Sequence, residues 1–217
     1  MRDIHCHILP GVDDGARDLD ESLAMLEAAK AAGVTSIVCT PHCRDPYFDF
    51  DAMWAAFEML RSQADGFPLQ MGFEVHYSKL MELGVQSAER LHFDGSNELL
   101  LELPTRAGAL EFTSFERTIY ELQGMGYEVI IAHPERYAAV QKDIRIAENL
   151  VHMGCKLQAS ADFIAGGRFG RERKHAKRLF SQFLYSYLAS DAHCARHYEY
   201  LATARAKYSI RGRHMKR

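Results

Sequence analysis

No stretch of this chain reaches the roughly 18 consecutive apolar residues that a membrane span requires, and Met1 and Arg2 lead straight into a short strand without the apolar run of a signal peptide. Membrane insertion and export are therefore not expected, and the cytoplasm is the expected compartment. Excess charge is missing too: 26 Lys and Arg against 29 Asp and Glu leave a formal net charge of −3, which gives no electrostatic footprint for nucleic acid. The five cysteines (Cys6, Cys39, Cys43, Cys155, Cys194) contain no CxxC pair and are odd in number, so a disulfide framework is excluded in favour of reduced thiols. A cysteine-dependent phosphatase needs an arginine six residues after its cysteine, and those positions hold Val12, Asp45, Asp49, Ala161 and Tyr200. A GxSxG elbow, a P-loop and a GxGxxG turn are all absent, which removes the usual routes to a serine nucleophile or a bound nucleotide. Low-complexity segments and Pro/Gly-rich linkers are absent as well, and the basic ending "RGRHMKR" reads as a solvated terminus.

What the chain does have is alternation. Seven short apolar runs read as strands: "DIHCH", "TSIVCTPH", "LQMGFEVH", "ELLLELP", "EVIIAHPER", "KLQASAD" and "YSYLASDAH". Between them lie stretches with apolar residues at helical spacing, such as "DLDESLAMLEAAKAAG", where Leu19, Leu23, Leu26 and Ala29 mark a stripe, Asp18 or Asp20 a cap and Gly33 a stop. "DAMWAAFEMLRSQADG", "SKLMELGVQSAERL", "LEFTSFERTIYELQGMG" and "DIRIAENLVHMG" repeat the theme, with Met, Phe and Trp54 as core filling. Strand-then-helix units in unbroken succession predict one α/β domain over residues 1–217 with a parallel sheet and helices outside. An open doubly wound sheet and a closed barrel both fit that order. Polar residues gathered at the strand ends favour the barrel, whose active sites form at the carboxyl ends of its strands.

Those ends are where the chemistry-bearing residues stand. The first run supplies His5 and His7, with Asp13 and Asp14 in the loop that follows; the second supplies His42 and then Arg44; the third Glu74 and His76; the fourth Glu102; the fifth His133 and then Arg136; the sixth Ser160 and Asp162; the seventh Asp191 and His193. Imidazole and carboxylate bind Zn, Mn and Fe divalents without thiolate, and a shared carboxylate can hold two ions ~3.5–4 Å apart for hydrolysis. An HxH pair alone is a weak signal. Combined with "SDAH" and two strand-end glutamates, it predicts a metal site.

In "DIHCHILPGVDDGA", "TPH", "GFEVH", "LLLELP", "IIAHPERY" and "ASDAH" the chain resembles the polymerase-and-histidinol-phosphatase (PHP) superfamily, and within it the bacterial manganese-dependent tyrosine-protein phosphatases of capsule and exopolysaccharide gene clusters. The match runs in order from residue 3 to about residue 197; "HILPGVDDGA" and "AHPERY" are specific to that branch, and the chain is expected to stop earlier than its relatives do. The resemblance implies a distorted seven-stranded (β/α)7 TIM-like barrel, the PHP fold, with three divalent ions, Mn foremost and Fe or Zn as alternatives. His5, His7, Glu102 and Asp191 would hold the first; Glu74, Glu102 and His133 the second, with Glu102 bridging; Asp14, His42 and His193 the third. Arg136 matches the arginine the family places near phosphate, and Arg44 is a second candidate. Asp3 is expected to orient a ligand histidine or cap the strand, Asp13 to serve the turn or orient a ligand, His76 to orient a ligand or touch substrate, and Cys6 to point away into the wall, opposite His5 and His7. Phe169-Gly170 echo a family loop. His92, His152, His175 and His214 are expected to be ordinary surface residues, and His197 stays open.

The implied reaction is direct hydrolysis of a phosphotyrosine ester by a metal-activated hydroxide, and the implied partner is the tyrosine-rich tail of a bacterial membrane tyrosine kinase. Three rivals stay open. One is a small-molecule phosphatase of the histidinol phosphatase kind. Another is a metal-dependent amidohydrolase, although those often bridge metals with a carboxylated lysine and no lysine occurs in the fourth or fifth run. The last is a non-catalytic kinase antagonist, disfavoured because no ligand position is missing.

Overall fold

The structure is a computed structural model that describes residues 1–167, 170–208 and 210. Every one of the seven apolar runs contains strand, and two of them are split. The strands are β1 (Arg2–Asp3), β2 (Ser36–Cys39), β3 (His42–Cys43), β4 (Leu69–Met71), β5 (Glu74–His76), β6 (Glu98–Glu102), β7 (Glu128–Ala132), β8 (Lys156–Ser160) and β9 (Tyr187–Ala189). All named pairings are parallel and fall into two sheets, β1-β2-β4 and β3-β5-β6-β7-β8-β9. The fold is thus mixed α/β with parallel sheets.

The expected closed barrel does not form as a continuous ladder among the described residues. Two interruptions explain why. The second run breaks between β2 and β3 at Thr40-Pro41, where proline has no N–H to give, and the third breaks between β4 and β5 at Gly72-Phe73. The first run pairs only through Asp3; beyond it, Cys6 alone bridges Ala192, flanked by bonds from Asp191 N to His5 O and from His7 N to Ala192 O. So the far edge of the large sheet returns to the first run through a seam of single contacts.

Nine α-helices are described: α1 (Leu19–Ala31), α2 (Phe50–Gln63), α3 (Tyr77–Leu83), α4 (Ala88–Leu91), α5 (Phe112–Gly124), α6 (Ala138–Lys142), α7 (Arg145–His152), α8 (Glu172–Ser181) and α9 (His197–Lys207). In α1 the Asp18 carboxylate accepts from Glu21 N, a cap contributing about 1 kcal/mol. Its buried stripe is Ser22, Met25, Leu26 and Ala29, rotated from the expected one because Leu19 and Leu23 are only half covered. The stretch predicted as one helix over "SKLMELGVQSAERL" divides into α3, a tight turn and α4 at Gly84, whose φ of +85° no helix accommodates. A large apolar cluster joins the helices to the sheets and includes Cys6; a smaller one of Ile4, Val38, Phe93, Leu100, Ile130, Ala132 and Ala189 stands apart from it.

Candidate metal centre

Strand register assembles the centre. His42 on β3 is paired with Glu74 on β5, and His76 on β5 with Glu102 on β6. Side chains opposite one another in adjacent strands share a face, so an imidazole and two carboxylates meet inside the sheet. Glu74 lies deepest. Its Oε1 is 2.7 Å from His133 Nε2 and 3.4 Å from His5 Nε2, and its Oε2 is 2.6 Å from His42 Nδ1 and 3.5 Å from His7 Nε2. Asp191 Oδ1 closes the group from the last run, 3.4 Å from His5 Nε2 and 3.3 Å from His7 Nε2. At the mouth, Asp14 Oδ1 lies 3.1 Å from His42 Nε2 and 3.4 Å from His193 Nε2. Glu102 Oε1 is 3.8 Å from His133 Nε2.

All nine candidate ligands therefore converge. Their donor atoms form four overlapping sets, each within 4.8 Å: His7, Asp14, His42 and His193; His5, His7 and Glu74; His5, His133 and Asp191; His42, Glu74 and Glu102. Among these donors Glu74 touches the most imidazoles.

The donor set fits divalent cations on its own chemistry. His42 Nδ1 and Glu74 Oε2 are 2.6 Å apart, yet both are buried without a hydrogen bond, as is Glu102 Oε2. Burial lifts the Glu102 carboxyl to about 7, and the neighbouring Glu74 charge adds to the lift. Two buried carboxylates side by side repel unless a cation separates them. Burial opposes protonation of His5 and His42, but Glu74 with Asp191 pushes His5 up to about 9, and Glu74 with Asp14 pushes His42 up to about 10. His133 goes the other way, to about 4, through burial and the nearby Arg136 charge.

Several residues hold the donors in place. Asp13 is the ligand-orienting residue expected from the sequence: its carboxylate lies 2.8 Å from His7 Nδ1 and accepts from the N–H groups of Gly15 and His42, which leaves His7 Nε2 facing the centre. Gly15 permits this loop, since a Cβ there would sit 2.0 Å from His7 O. Gln158, which sequence reasoning passed over, does for His5 what Asp13 does for His7; its Oε1 is 3.0 Å from His5 Nδ1. The signal for it was the two-residue period of Gln158, Ser160 and Asp162 along a buried run. The Asp3 carboxylate accepts from Ser190 N, tying β1 to the last run, and the His5 backbone and ring beside it help to hold its charge. His76 caps α3, its Nδ1 accepting from Ser78 N. Cys6 points away from the centre, with Sγ 3.0 Å from Tyr198 OH.

His133, Glu135, Arg136 and Tyr137 of "HPERY" each have a task. His133 is left-handed at φ +31°, as Asp191 is at +49°; such backbone costs about 1–3 kcal/mol each and is typical of functional positions. Glu135 is fully buried and accepts from Ser160 N and Tyr185 OH. Arg136 Nη2 donates to Asp191 Oδ2 at 2.5 Å, Asp162 Oδ2 at 3.0 Å and Ser160 Oγ at 3.1 Å, while its buried Nε has no partner among the described residues. Tyr137 OH donates to Ala132 O and accepts from Leu103 N, clasping the ends of β7 and β6 that carry His133 and Glu102. Arg44 stands across the mouth, its Nη2 2.9 Å from His42 Nε2.

A cleft of about 330 Å³ opens on this centre, lined among others by Asp14, Arg136, Asp191, His193, His197 and Tyr200. His197 was left open by the sequence; its Nδ1 accepts from His193 N at 3.3 Å. Arg168, Phe169, His214 and the basic ending lie outside the described residues.

Residues 1–208 match the family described as capsular polysaccharide synthesis, CpsB/CapC. The chain belongs to this family. Among its CpsB/CapC relatives, CapC of Staphylococcus aureus and the tyrosine-protein phosphatase YwqE of Bacillus subtilis are each 32% identical over 200 residues, 89% of this chain and 77% of the relative. The tyrosine-protein phosphatase CpsB of Streptococcus agalactiae is 26% identical over 204 residues, 89% of this chain and 83% of the relative. Among solved structures, one from the work on Bacillus subtilis YwqE and Streptococcus pneumoniae CpsB, described there as metal-dependent tyrosine phosphatases, superposes with a TM-score of 0.78 at 28% identity, covering 96% of this chain and 88% of that one. No helix among the described residues is long and apolar enough to cross a membrane.

Proposed function

We propose that this CpsB/CapC chain is a divalent-metal-dependent phosphatase of phosphotyrosine in proteins. The observation that carries the reading is Arg136 beside nine convergent imidazole and carboxylate donors where one cleft opens. Support comes from relatives named tyrosine-protein phosphatases and from a structural neighbour described as metal-dependent. We read the chain as one domain whose two sheets are arcs of a distorted barrel, working in the cytoplasm on the tail of a membrane tyrosine kinase.

His5, His7, Asp14, His42, Glu74, Glu102, His133, Asp191 and His193 would hold three ions, with manganese first among the candidates. When bound, such ions acidify water towards neutral pH and offset phosphoryl charge. The chain's own groups do the rest. Arg136, always charged and lining the cleft, brings its guanidinium to the phosphoryl oxygens, where fixed donors lower the barrier most. Asp162, Ser160 and Asp191 fix its plane, so little reorganisation is needed when substrate arrives. Arg44, beside His42 and Asp14, supplies a second cation. His197 lies outside the donor sets; because its Nδ1 accepts from His193 N, the neutral ring keeps its proton on Nε2, where it can donate a hydrogen bond to a phosphoryl or ester oxygen, while the departing phenolate takes its proton from solvent. The cleft walls of His197 and Tyr200 provide a surface for a phenyl ring.

The test compares phosphate release from a phosphotyrosine peptide and from histidinol phosphate by the same manganese-loaded preparation. The phosphotyrosine peptide is expected to give the higher kcat/KM by at least an order of magnitude. Preference for histidinol phosphate would move the reading to a small-molecule phosphatase, and cleavage of neither would remove it.

A further inference from the structure

The outer face of α8 carries charge that nothing among the described residues answers. Arg171 at its N-cap and Arg173, Lys174 and Lys177 within it are all exposed, and among the described residues none of these side chains makes an ion pair or hydrogen bond. Elsewhere on the surface Arg17, Lys30, Arg61, Lys79 and Arg145 each have a carboxylate within 4 Å. The cationic face is also locally unfavourable. Arg173 and Lys177 are four residues apart and Lys174 and Lys177 three, so like charges sit adjacent on one helix face. Arg173 and Lys174 occupy the first turn, where the helix dipole repels cations. The opposite face, Glu172, Ala176 and Leu179, is buried, which fixes the cations outward. Together with Gly170 they line a depression of about 730 Å³.

The helix that bears this face is seated beside the cleft. α8 packs on the Pro134–Arg136 turn and on the Ala161–Ala165 turn, which carry Arg136 and Asp162. Gly167 lines the cleft and also abuts α8, for a Cβ there would lie 2.6 Å from the Glu172 side chain. A polypeptide leaving the cleft past Gly167 meets the edge of the cationic depression at Gly170, whose Cα would lie 3.6 Å from a Cβ built on Gly166. The protein is net acidic, so an anionic chain has this face as its local attractor beside the site.

We propose that the outer face of α8 is a docking site for an anionic polypeptide stretch, acidic or itself phosphorylated, adjoining the phosphotyrosine in the substrate chain. The proposal rests on the phosphotyrosine reading above and names the kind of sequence it prefers. It is tested in the full chain by the R173E/K174E/K177E variant, with the neutral R173Q/K174Q/K177Q variant beside it. The substrates are a phosphotyrosine peptide with glutamate-rich flanks, one with neutral flanks, and p-nitrophenyl phosphate. The parent is expected to favour the acidic peptide; charge reversal lowers kcat/KM for it on the order of tenfold, through KM. The neutral variant falls between, and p-nitrophenyl phosphate turnover stays as in the parent, which also reports that the variants fold. Equal kcat/KM for acidic and neutral peptides in the parent would overturn the proposal, as would an equal loss on all three substrates. Loss in the variants of co-sedimentation with phosphatidylglycerol vesicles, without any change on peptides, would overturn it in favour of a membrane surface. If no substrate is hydrolysed, the phosphotyrosine reading fails separately. Anisotropy of a labelled, unphosphorylated glutamate-rich peptide then decides: salt-sensitive binding lost on charge reversal supports the dock, and no binding to the parent removes it.

Discussion

The floor of the centre and its rim use the same residue types in different surroundings. On the floor, the side chains of His5, His7 and Glu74 are 0%, 0% and 1% exposed, while at the rim those of Asp14 and His193 are 29% and 24% exposed. Floor donors are locked by further hydrogen bonds: His7 by Asp13 and His5 by Gln158. Rim donors lean mainly on one another and on backbone, as Asp14 on His42 and His193, and His193 on Asp191 O. The floor is thus pre-shaped and water-poor, so each charge there interacts strongly and a single loss is not screened. The rim is wetter and can exchange partners, as a mouth that admits substrate must.

The sharpest way to break this contrast is Glu74→Gln. It keeps the shape but removes the carboxylate that four imidazoles surround, so activity is expected to fall by about 10³-fold or more, with bound metal lost by elemental analysis and no recovery at high metal. At the rim, His193→Ala is expected to cost less and to be recovered in part by raising manganese, seen as a rightward shift of the activation curve. Asp13→Asn tests the support beneath the floor; apparent metal affinity should weaken about 10–100-fold, measured by competition with a chelator. The smallest effect is expected from iodoacetamide. Cys6, Cys39, Cys43 and Cys155 are buried, and burial pushes the Cys43 and Cys155 thiols up to about 12, so thiolate is scarce at neutral pH. Intact mass should show one adduct, on exposed Cys194, with activity kept.

The same contrast governs how much could be read from the sequence. Histidine and carboxylate at the ends of apolar runs are legible one residue at a time, because burying them without a partner is costly, and each of the nine lies at the centre. Helices with an aspartate cap and an apolar stripe were legible too, as in α1. The broken strands were not: the gaps at Thr40-Pro41 and Gly72-Phe73 depend on how one sheet passes into the next. Which carboxylate sits among the imidazoles was not legible either. Glu74 comes to sit among four imidazoles through its pairing with His42, and that register is a property of two strands together. Gln158 escaped notice because an amide neither titrates nor looks like a ligand, though it sets the tautomer of one.

The most direct test of the central claim, that these nine donors make metal-dependent chemistry of this cleft, is phosphate release from a phosphotyrosine peptide by chelator-stripped protein titrated with manganese. The account predicts no release before metal is added and a rise to a plateau as the donor sets fill. Full activity in the stripped protein, with metal content verified as nil, would contradict it.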